Sequence, residues 1–230
     1  MNDNFLELVG KDIWIINYPF KLIGANFGNK MTVIKYDDDK LLLHSPIPIS
    51  PHLIKEIDAL GQVKLLMAPN LMHNLFINQW KQHYSEALLI APKHIKEVDY
   101  DISLEEITQS EKSNLIIPSN LRVQFIAGMK GLHEYALIHI PSGTLVLTDL
   151  AFNINNVKGI WSNIFFRLYG AYGKFGPTYL TKFIIKNKAK FSQSIETIFS
   201  YDFDKIIVSH GDLVARDGKS HFSKAFSHIK

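Results

Sequence analysis

Several apolar runs in this sequence end in residues that can hold a metal ion or move a proton. Leu41-Leu42-Leu43 runs into His44. Val63 to Ala68 is followed by Asn70 and His73. Leu145-Val146-Leu147 leads to Asp149, and Ile206-Ile207-Val208 leads to His210, with Asp212 behind Gly211. Where such runs are strands of an α/β sheet, side chains from separate strands converge at their C-terminal ends, and ligands bind at that edge. A metal needs this convergence, because its ligands must surround one point and be held rigidly. Two His and one carboxylate suit Zn²⁺ or Fe²⁺ and leave positions open for water or substrate. A plainer reading stands beside it. A His at a strand end is ordinarily a hydrogen-bonding residue, and a chain with 10 His places several there by chance. His52, His83, His94, His221 and His228 fall in helical or polar segments and read as surface residues. His133 and His139 flank a strand and fit either reading.

Period and punctuation predict the elements that must position these residues. Ile13 to Asn17, Met31 to Tyr36 and Leu41 to Leu43 read as strands, and Asp37-Asp38-Asp39 turns the last two into a hairpin. Ser50-Pro51 opens a helix as N-cap and first residue, with Leu53, Ile54, Ile57 and Leu60 on one face and Gly61 closing it. Val63 to Ala68 is a strand. Asn74 to Tyr84 is a helix with Leu75, Phe76, Ile77 and Trp80 inward, and Ala87 to Ile90 is a strand. The acidic segment from Lys93 to Asn114 fits neither period. Arg122 to Ala127, Tyr135 to Ile140 and Thr144 to Thr148 are strands, the last two joined by a turn at Pro141-Ser142-Gly143. From Gly159 to Ser200 the period is helical, with Trp161, Ile164, Phe165, Leu168 and Tyr169 in step, then helices at Pro177 to Lys186 and Lys190 to Phe199. Ile206 to Ser209 is a last strand and Lys219 to Ile229 a last helix. This order fits a mixed sheet, or a pair of sheets, covered by helices in one domain over 1–230.

Composition narrows the function. The chain of 230 residues is 47% hydrophobic and 20% charged with a net charge of +3, enough to bury a large core and incompatible with global disorder. With 0 Cys there are no disulfides, thiolate metal sites or Cys nucleophile. No apolar run approaches the ~20 residues of a spanning helix. Met1-Asn2-Asp3-Asn4 lacks the basic start of a signal peptide, so a cytoplasmic location is expected. Gly218-Lys219-Ser220 lacks the upstream glycine of a P-loop, and no G-x-S-x-G or G-x-G-x-x-G occurs. No nucleic-acid motif is present. The stretch from 150 to 195 carries Lys158, Arg167, Lys174, Lys182, Lys186, Lys188 and Lys190 with no Asp or Glu, interleaved with aromatics. It reads as an ordinary helical layer, aromatics in the core and lysines in water, with Trp161, Phe165, Tyr169 and Tyr172 lining a pocket. A lid, or a surface for anionic lipid or an acidic partner, is the other reading.

The order strand–Asn70-x-x-His73, then Thr148-Asp149, then Ser209-His210-Gly211-Asp212, resembles the metallo-β-lactamase superfamily. More closely, the chain resembles a bacterial domain-of-unknown-function family related to it. That likeness is carried by Tyr18-Pro19-Phe20, Gly24-Ala25-Asn26-Phe27-Gly28-Asn29, Met31-Thr32-Val33, Leu43-His44-Ser45-Pro46, Ala68-Pro69-Asn70, Thr148-Asp149-Leu150 and His210-Gly211-Asp212. The resemblance implies a metallo-β-lactamase-like four-layer αββα sandwich with an aromatic, basic helical segment near 159–200, and a site at one edge. Active members bind two metals through an H-x-H-x-D-H loop, a later His, a bridging Asp and a final His. On that pattern Ala68 and Asn70 replace the first two His, Met72 replaces the Asp, and His73 matches the last His. Asp149 matches the bridging Asp and His210 the final His. The intermediate His is not matched, although His133 lies nearby.

What the resemblance implies is therefore one metal, Zn or Fe, on His73, Asp149 and His210. A bound water would attack a small ester, amide or phosphoester. Asn70 would donate to the developing oxyanion. The helix starting at Asn74 would keep His73 neutral. His44 would orient a ligand or act as an extra one, and Asp212 would fix the tautomer of His210. Two alternatives stand: a non-catalytic member that binds a small molecule or partner, and a mononuclear iron oxidoreductase.

Overall fold

A computed structural model describes residues 5–109 and 116–229. Met1 to Asn4, on which the reading of the leader rests, and the end of the acidic segment with Glu111 lie outside the described residues. In chain order the strands and helices are β1 (Glu7–Gly10), β2 (Ile13–Tyr18), β3 (Lys21–Leu22), β4 (Ala25–Asn26), β5 (Asn29–Lys35), β6 (Lys40–His44), α1 (Pro51–Asp58), β7 (Gln62–Met67), α2 (Ile77–His83), β8 (Leu88–Ala91), β9 (Ile102–Ser103) and α3 (Leu104–Gln109). Then follow β10 (Leu121–Phe125), β11 (Tyr135–His139), β12 (Thr144–Leu147), β13 (Phe152–Asn153), α4 (Ile160–Tyr169), β14 (Phe175–Gly176), α5 (Tyr179–Ile184), α6 (Lys188–Ser200), β15 (Lys205–Val208) and α7 (Gly218–Phe226). The chain divides into two compact units. One holds the residues up to Tyr18 and Lys30–Arg122, the other Pro19–Asn29 and the chain from Val123 onward.

The first unit is built on a seven-stranded sheet in the order β1-β2-β5-β6-β7-β8-β9. β5 and β6 form the expected antiparallel hairpin, with Thr32 opposite His44. From β6 to β9 the pairing is parallel. Parallel strands are covered on both faces and so read as continuous apolar runs, as Leu41-Leu42-Leu43 and Leu65-Leu66-Met67 do. Parallel neighbours also need crossovers, which α1 and α2 supply. The Ser50 hydroxyl caps α1 by accepting from the Leu53 amide at 3.2 Å, and Leu53 and Ile57 are buried. In the acidic segment, Ser103 and Glu106 form a reciprocal capping box. The Ser103 hydroxyl accepts from the Glu106 amide and the Glu106 carboxylate accepts from the Ser103 amide. This S-x-x-E signature resolves the ambiguity in favour of a helix start.

The second unit is built on a four-stranded sheet in the order β10-β11-β12-β15. β11 and β12 are antiparallel, joined through a turn whose Gly143 is left-handed (φ 58°). β12 and β15 are parallel, with Leu147 beside Val208. One apolar core lies around Ile138, Leu147, Phe191 and Phe222. A separate aromatic core holds Phe27, Phe152 and Phe166. Two expectations are corrected. Leu75 is 65% exposed, because α2 begins at Ile77 rather than Asn74. On α4, Trp161, Ile164 and Leu168 face solvent while Ser162 and Phe166 are buried. A helical period marks an apolar face without deciding what covers it.

Candidate metal centre

In the second unit, register alone places two of the anticipated residues side by side. Leu147 of β12 pairs with Val208 of β15. The residues two positions beyond each, Asp149 and His210, therefore leave neighbouring parallel strands at the same edge. His210 Nε2 lies 3.3 Å from Asp149 Oδ1. His210 Nδ1 lies 2.8 Å from the Gly28 carbonyl oxygen. A carbonyl only accepts, so Nδ1 carries the proton and Nε2 turns its other face toward the carboxylate. A neutral imidazole would then set a lone pair against a carboxylate oxygen. That arrangement needs a cation between the two atoms, a proton or a metal ion. Imidazole nitrogen with carboxylate oxygen is also a donor set that Zn²⁺ and Fe²⁺ accept, so these residues fit a metal.

The surroundings hold both groups in place. The carboxylate of Glu134, fully buried, accepts from the backbone amides of Thr148 (2.8 Å), Asp149 (3.2 Å) and Leu150 (3.4 Å). It clamps the loop that carries Asp149. The Thr181 hydroxyl donates to the Asp149 carbonyl at 3.3 Å. Gly211 has φ 102°, and any side chain there would collide with the Asn153 backbone. That close approach lets the Asn153 amide donate to the His210 carbonyl (3.1 Å) and the Asp212 amide donate to the Asn153 carbonyl (2.8 Å). The His210 ring stacks on Phe152 and meets Phe27 edge-on.

In the first unit, the corresponding edge is formed by β6 and β7, where His44 pairs with Met67. Ser45 follows in a left-handed conformation (φ 53°), and its Oγ lies 2.7 Å from His73 Nδ1. That contact makes Nε2 the nitrogen of His73 that a metal would take. Asn70 is fully buried. Its side-chain oxygen accepts from the Met72 and His73 amides, both at 2.8 Å. His44 is 1% exposed, and neither of its ring nitrogens has a hydrogen-bond partner. Burial pushes its pKa down to about 3, and the neighbouring His73 adds to the fall.

Several anticipated roles change. Asn70 has a positioning role beside the donor role anticipated for its amide: it is buried, and its oxygen shapes the turn that presents His73. That turn delays the helix, so His73 precedes the first residue of α2 by a full turn and the helix-end argument for its neutrality falls. His44 orients no ligand through a hydrogen bond; Ser45 holds His73. Asp212 does not set the tautomer of His210, since Gly28 does. The Asp212 carboxylate instead accepts from Asn155 at 3.0 Å.

Among the aromatics, Phe165 and Tyr169 pack on Phe27, one of the rings beside His210. Burial raises the pKa of the Tyr169 phenol, against its hydrogen bond to Thr178 and with help from the nearby Asp149 carboxylate. Trp161 meets Phe165, Tyr172 packs on the same aromatic core, and both make further contacts. The Trp161 indole donates to the Ile23 carbonyl at 3.1 Å, and Tyr172 lies under the Arg167 guanidinium at 4.2 Å. Sequence reasoning missed Glu134, Ser45 and Gly28. Ser45 and Gly28 stand inside segments that carry the family likeness, while Glu134 carried no local signal.

The three positions that the resemblance sets against the superfamily loop's other ligands hold no free His or carboxylate. Ala68 is buried and apolar, the Asn70 oxygen is engaged, and Met72 is 66% exposed.

No family model matches the sequence, and no curated protein matches it. Solved structures do. A metallo-β-lactamase from Pontibacter korlensis aligns with a TM-score of 0.62 at 10% identity, over 98% of this chain and 100% of that one. The DIM-1 metallo-β-lactamase aligns at 0.65 and 12% identity, over 99% and 98%. The FIM-1 metallo-β-lactamase from Pseudomonas aeruginosa, in its mono-zinc form, aligns at 0.63 and 8% identity, over 96% and 93%. With TM-scores above 0.6 at such low identity, what the likeness establishes is the architecture: this chain has the metallo-β-lactamase fold.

Proposed function

We propose that the protein is a single-metal, metallo-hydrolase-like member of this fold, acting on a small ester, amide or phosphoester from the cytoplasm. The observation that carries the proposal is the Asp149–His210 pair, with its Nδ1 proton held by Gly28 and its Nε2 facing the carboxylate. His73 enters as third ligand through its place in the motif, and the Ser45 contact on Nδ1 supports that role. Zinc and iron both suit the donor set. One metal rather than two is supported by Ala68, Asn70 and Met72, and the mono-zinc form of FIM-1 is a precedent within the fold. The short motifs further support membership of the narrower bacterial family they resemble.

When bound, the metal would lower the pKa of a water molecule and polarise the scissile bond. The chain's own residues do the rest. Glu134 fixes the loop of Asp149, Gly28 fixes the tautomer of His210, and Asn70 and Ser45 fix His73. Phe27, Phe152, Phe165 and Tyr169 make an apolar wall beside His210, which lowers the local dielectric and strengthens charge interactions there.

Metal content per chain of the purified protein tests this reading. About one Zn or Fe is expected, retained in Asp212→Asn and lost in His210→Ala and His73→Ala. Equal metal in the wild type and both His variants overturns the assignment. A metal-free protein, after reconstitution with Zn²⁺, Fe²⁺ and Mn²⁺, favours the second reading, a non-catalytic ligand-binding member. The same three lost loop ligands are the observation that supports it.

A further inference from the structure

The second unit carries an apolar face with nothing over it among the described residues. On α4, Ile160 is 83% and Leu168 73% exposed, with Ile164 beside them. On α5, Leu180 and Phe183 are 51% and 70% exposed, and Ile23 at the tip of the β3–β4 hairpin is 73% exposed. These belong to one surface. The Trp161 indole bonds the Ile23 carbonyl, joining the hairpin tip to α4. The Tyr179 ring packs on Gly170, joining the end of α4 to the start of α5. Monomeric soluble proteins rarely leave apolar patches of this kind uncovered, and such patches mark interaction sites.

The charges on the segments that carry the patch have one sign. Lys21, Arg167 and Lys182 are exposed on the same elements, and Lys158 and Lys186 are exposed just before α4 and just after α5. Neither Pro19–Asn29 nor the stretch from Leu150 to Ile195 contains an Asp or Glu. Lys182 also lines a cavity of about 710 Å³ with Lys174, Arg216 and Lys224, whose wall has no acidic residue. Lys186 lies 4.0 Å over the Phe183 ring, an apolar stem with a charged end. Apolar tips, interfacial Trp and Tyr, and surrounding cations are what an anionic bilayer surface complements. Among the described residues no helix is long and apolar enough to cross a membrane, so this face can lie on a bilayer but not span it.

We propose that the α4–α5 face with the β3–β4 tip is a docking surface for an anionic lipid bilayer. Ile160, Ile164, Leu168 and Phe183 enter the acyl boundary, and the cations on the same segments meet the headgroups. Each cation near such a surface strengthens binding by about fivefold. Apolar burial alone would not select anionic lipid.

Flotation of the full chain with vesicles of phosphatidylcholine, with and without phosphatidylglycerol, tests the proposal. The protein is expected to float with the anionic vesicles alone and to be released as salt is raised. Ile160→Asp/Leu168→Asp and, separately, Lys182→Glu/Lys186→Glu are each expected to reduce binding about tenfold or more, with circular dichroism and metal content unchanged. The second pair keeps a test available should the first fail to fold. Absence of flotation, equal flotation with both lipids, or binding unchanged in the variants overturns the proposal. A dimer in light scattering that the same variants dissolve, without vesicle binding, assigns the face to a second copy and also overturns it.

Discussion

The two strand edges solve the same problem with different chemistry. In the second unit, β12 and β15 lead to Asp149 and His210, and a charged group and a backbone dipole help to hold them: the Glu134 carboxylate under the loop and the Gly28 carbonyl behind the imidazole. In the first unit, β6 and β7 present His44 and lead to His73. The groups seen to hold His73 there include the neutral amide of Asn70 and the hydroxyl of Ser45. A buried carboxylate with three amide donors is a stiff anchor, since hydrogen bonds to charged groups are roughly twice as strong as neutral ones. A neutral cap is weaker but allows the left-handed turn at Ser45. On the pattern that the resemblance implies, the edge with Asp149 and His210 matches ligand positions, whereas Ala68, Asn70 and Met72 stand at loop positions that offer no equivalent ligand.

The comparison breaks most readily at Glu134. Its replacement by Ala leaves three backbone amides without their partner, at a cost of about 3–5 kcal/mol. Urea unfolding measures this, and Glu134→Gln, which keeps an acceptor, should lose less. If Glu134→Ala proves as stable as the wild type, the clamp is not what orders the Asp149 loop.

The neutral edge predicts a pH dependence instead. The pKa of His44 is lowered from 6.5 to about 3 on folding. Above pH 6.5 neither state binds the proton. Below it the unfolded chain does and the folded chain does not, so stability falls as pH drops from 6.5 toward 3. The loss attributable to His44 should reach about 3 kcal/mol by pH 4, at ~1.4 kcal/mol per pH unit. His44→Leu removes the titrating ring. A stability profile between pH 6.5 and 4 as steep in this variant as in the wild type would assign the acid sensitivity elsewhere.

The smallest effect belongs to Asn70. Asn70→Ala removes two backbone hydrogen bonds from a buried turn and should cost about 2 kcal/mol. Asn70→Asp retains the accepting oxygen and should recover most of it. Because Asn70 positions His73, metal affinity should fall in the Ala variant while the pH profile set by His44 stays in place. An equal loss in both variants would show that the oxygen is not the feature that matters.

Much of this was legible in the sequence. Apolar runs, Asp-rich and Gly-containing turns, and the Ser50-Pro51 cap are local signals. The strands bearing Leu43, Met67, Leu147 and Val208 and the residues following them were accordingly identified. The S-x-x-E box at Ser103 is a local signal for the start of α3, set in an acidic segment whose apolar residues fit neither period. The start of α2 was misplaced because a period of apolar residues continues through Asn74 while the side chain of Asn70 captures the amides ahead of it. Glu134 looked like any carboxylate, and Gly28 lies 182 positions from the His210 it orients.

By itself the sequence determined most of the longer strands and helices and the residues that end them, because hydrophobic period, capping and turn chemistry act over a few neighbouring residues. Only the tertiary structure decided what those residues meet. It alone shows that a distant carbonyl sets the tautomer of His210, that a buried Glu134 holds Asp149, and that the apolar stripe of α4 faces water. The physical reason is that partners and covering surfaces come from segments far apart in the chain, and a local pattern carries no information about which distant segment arrives.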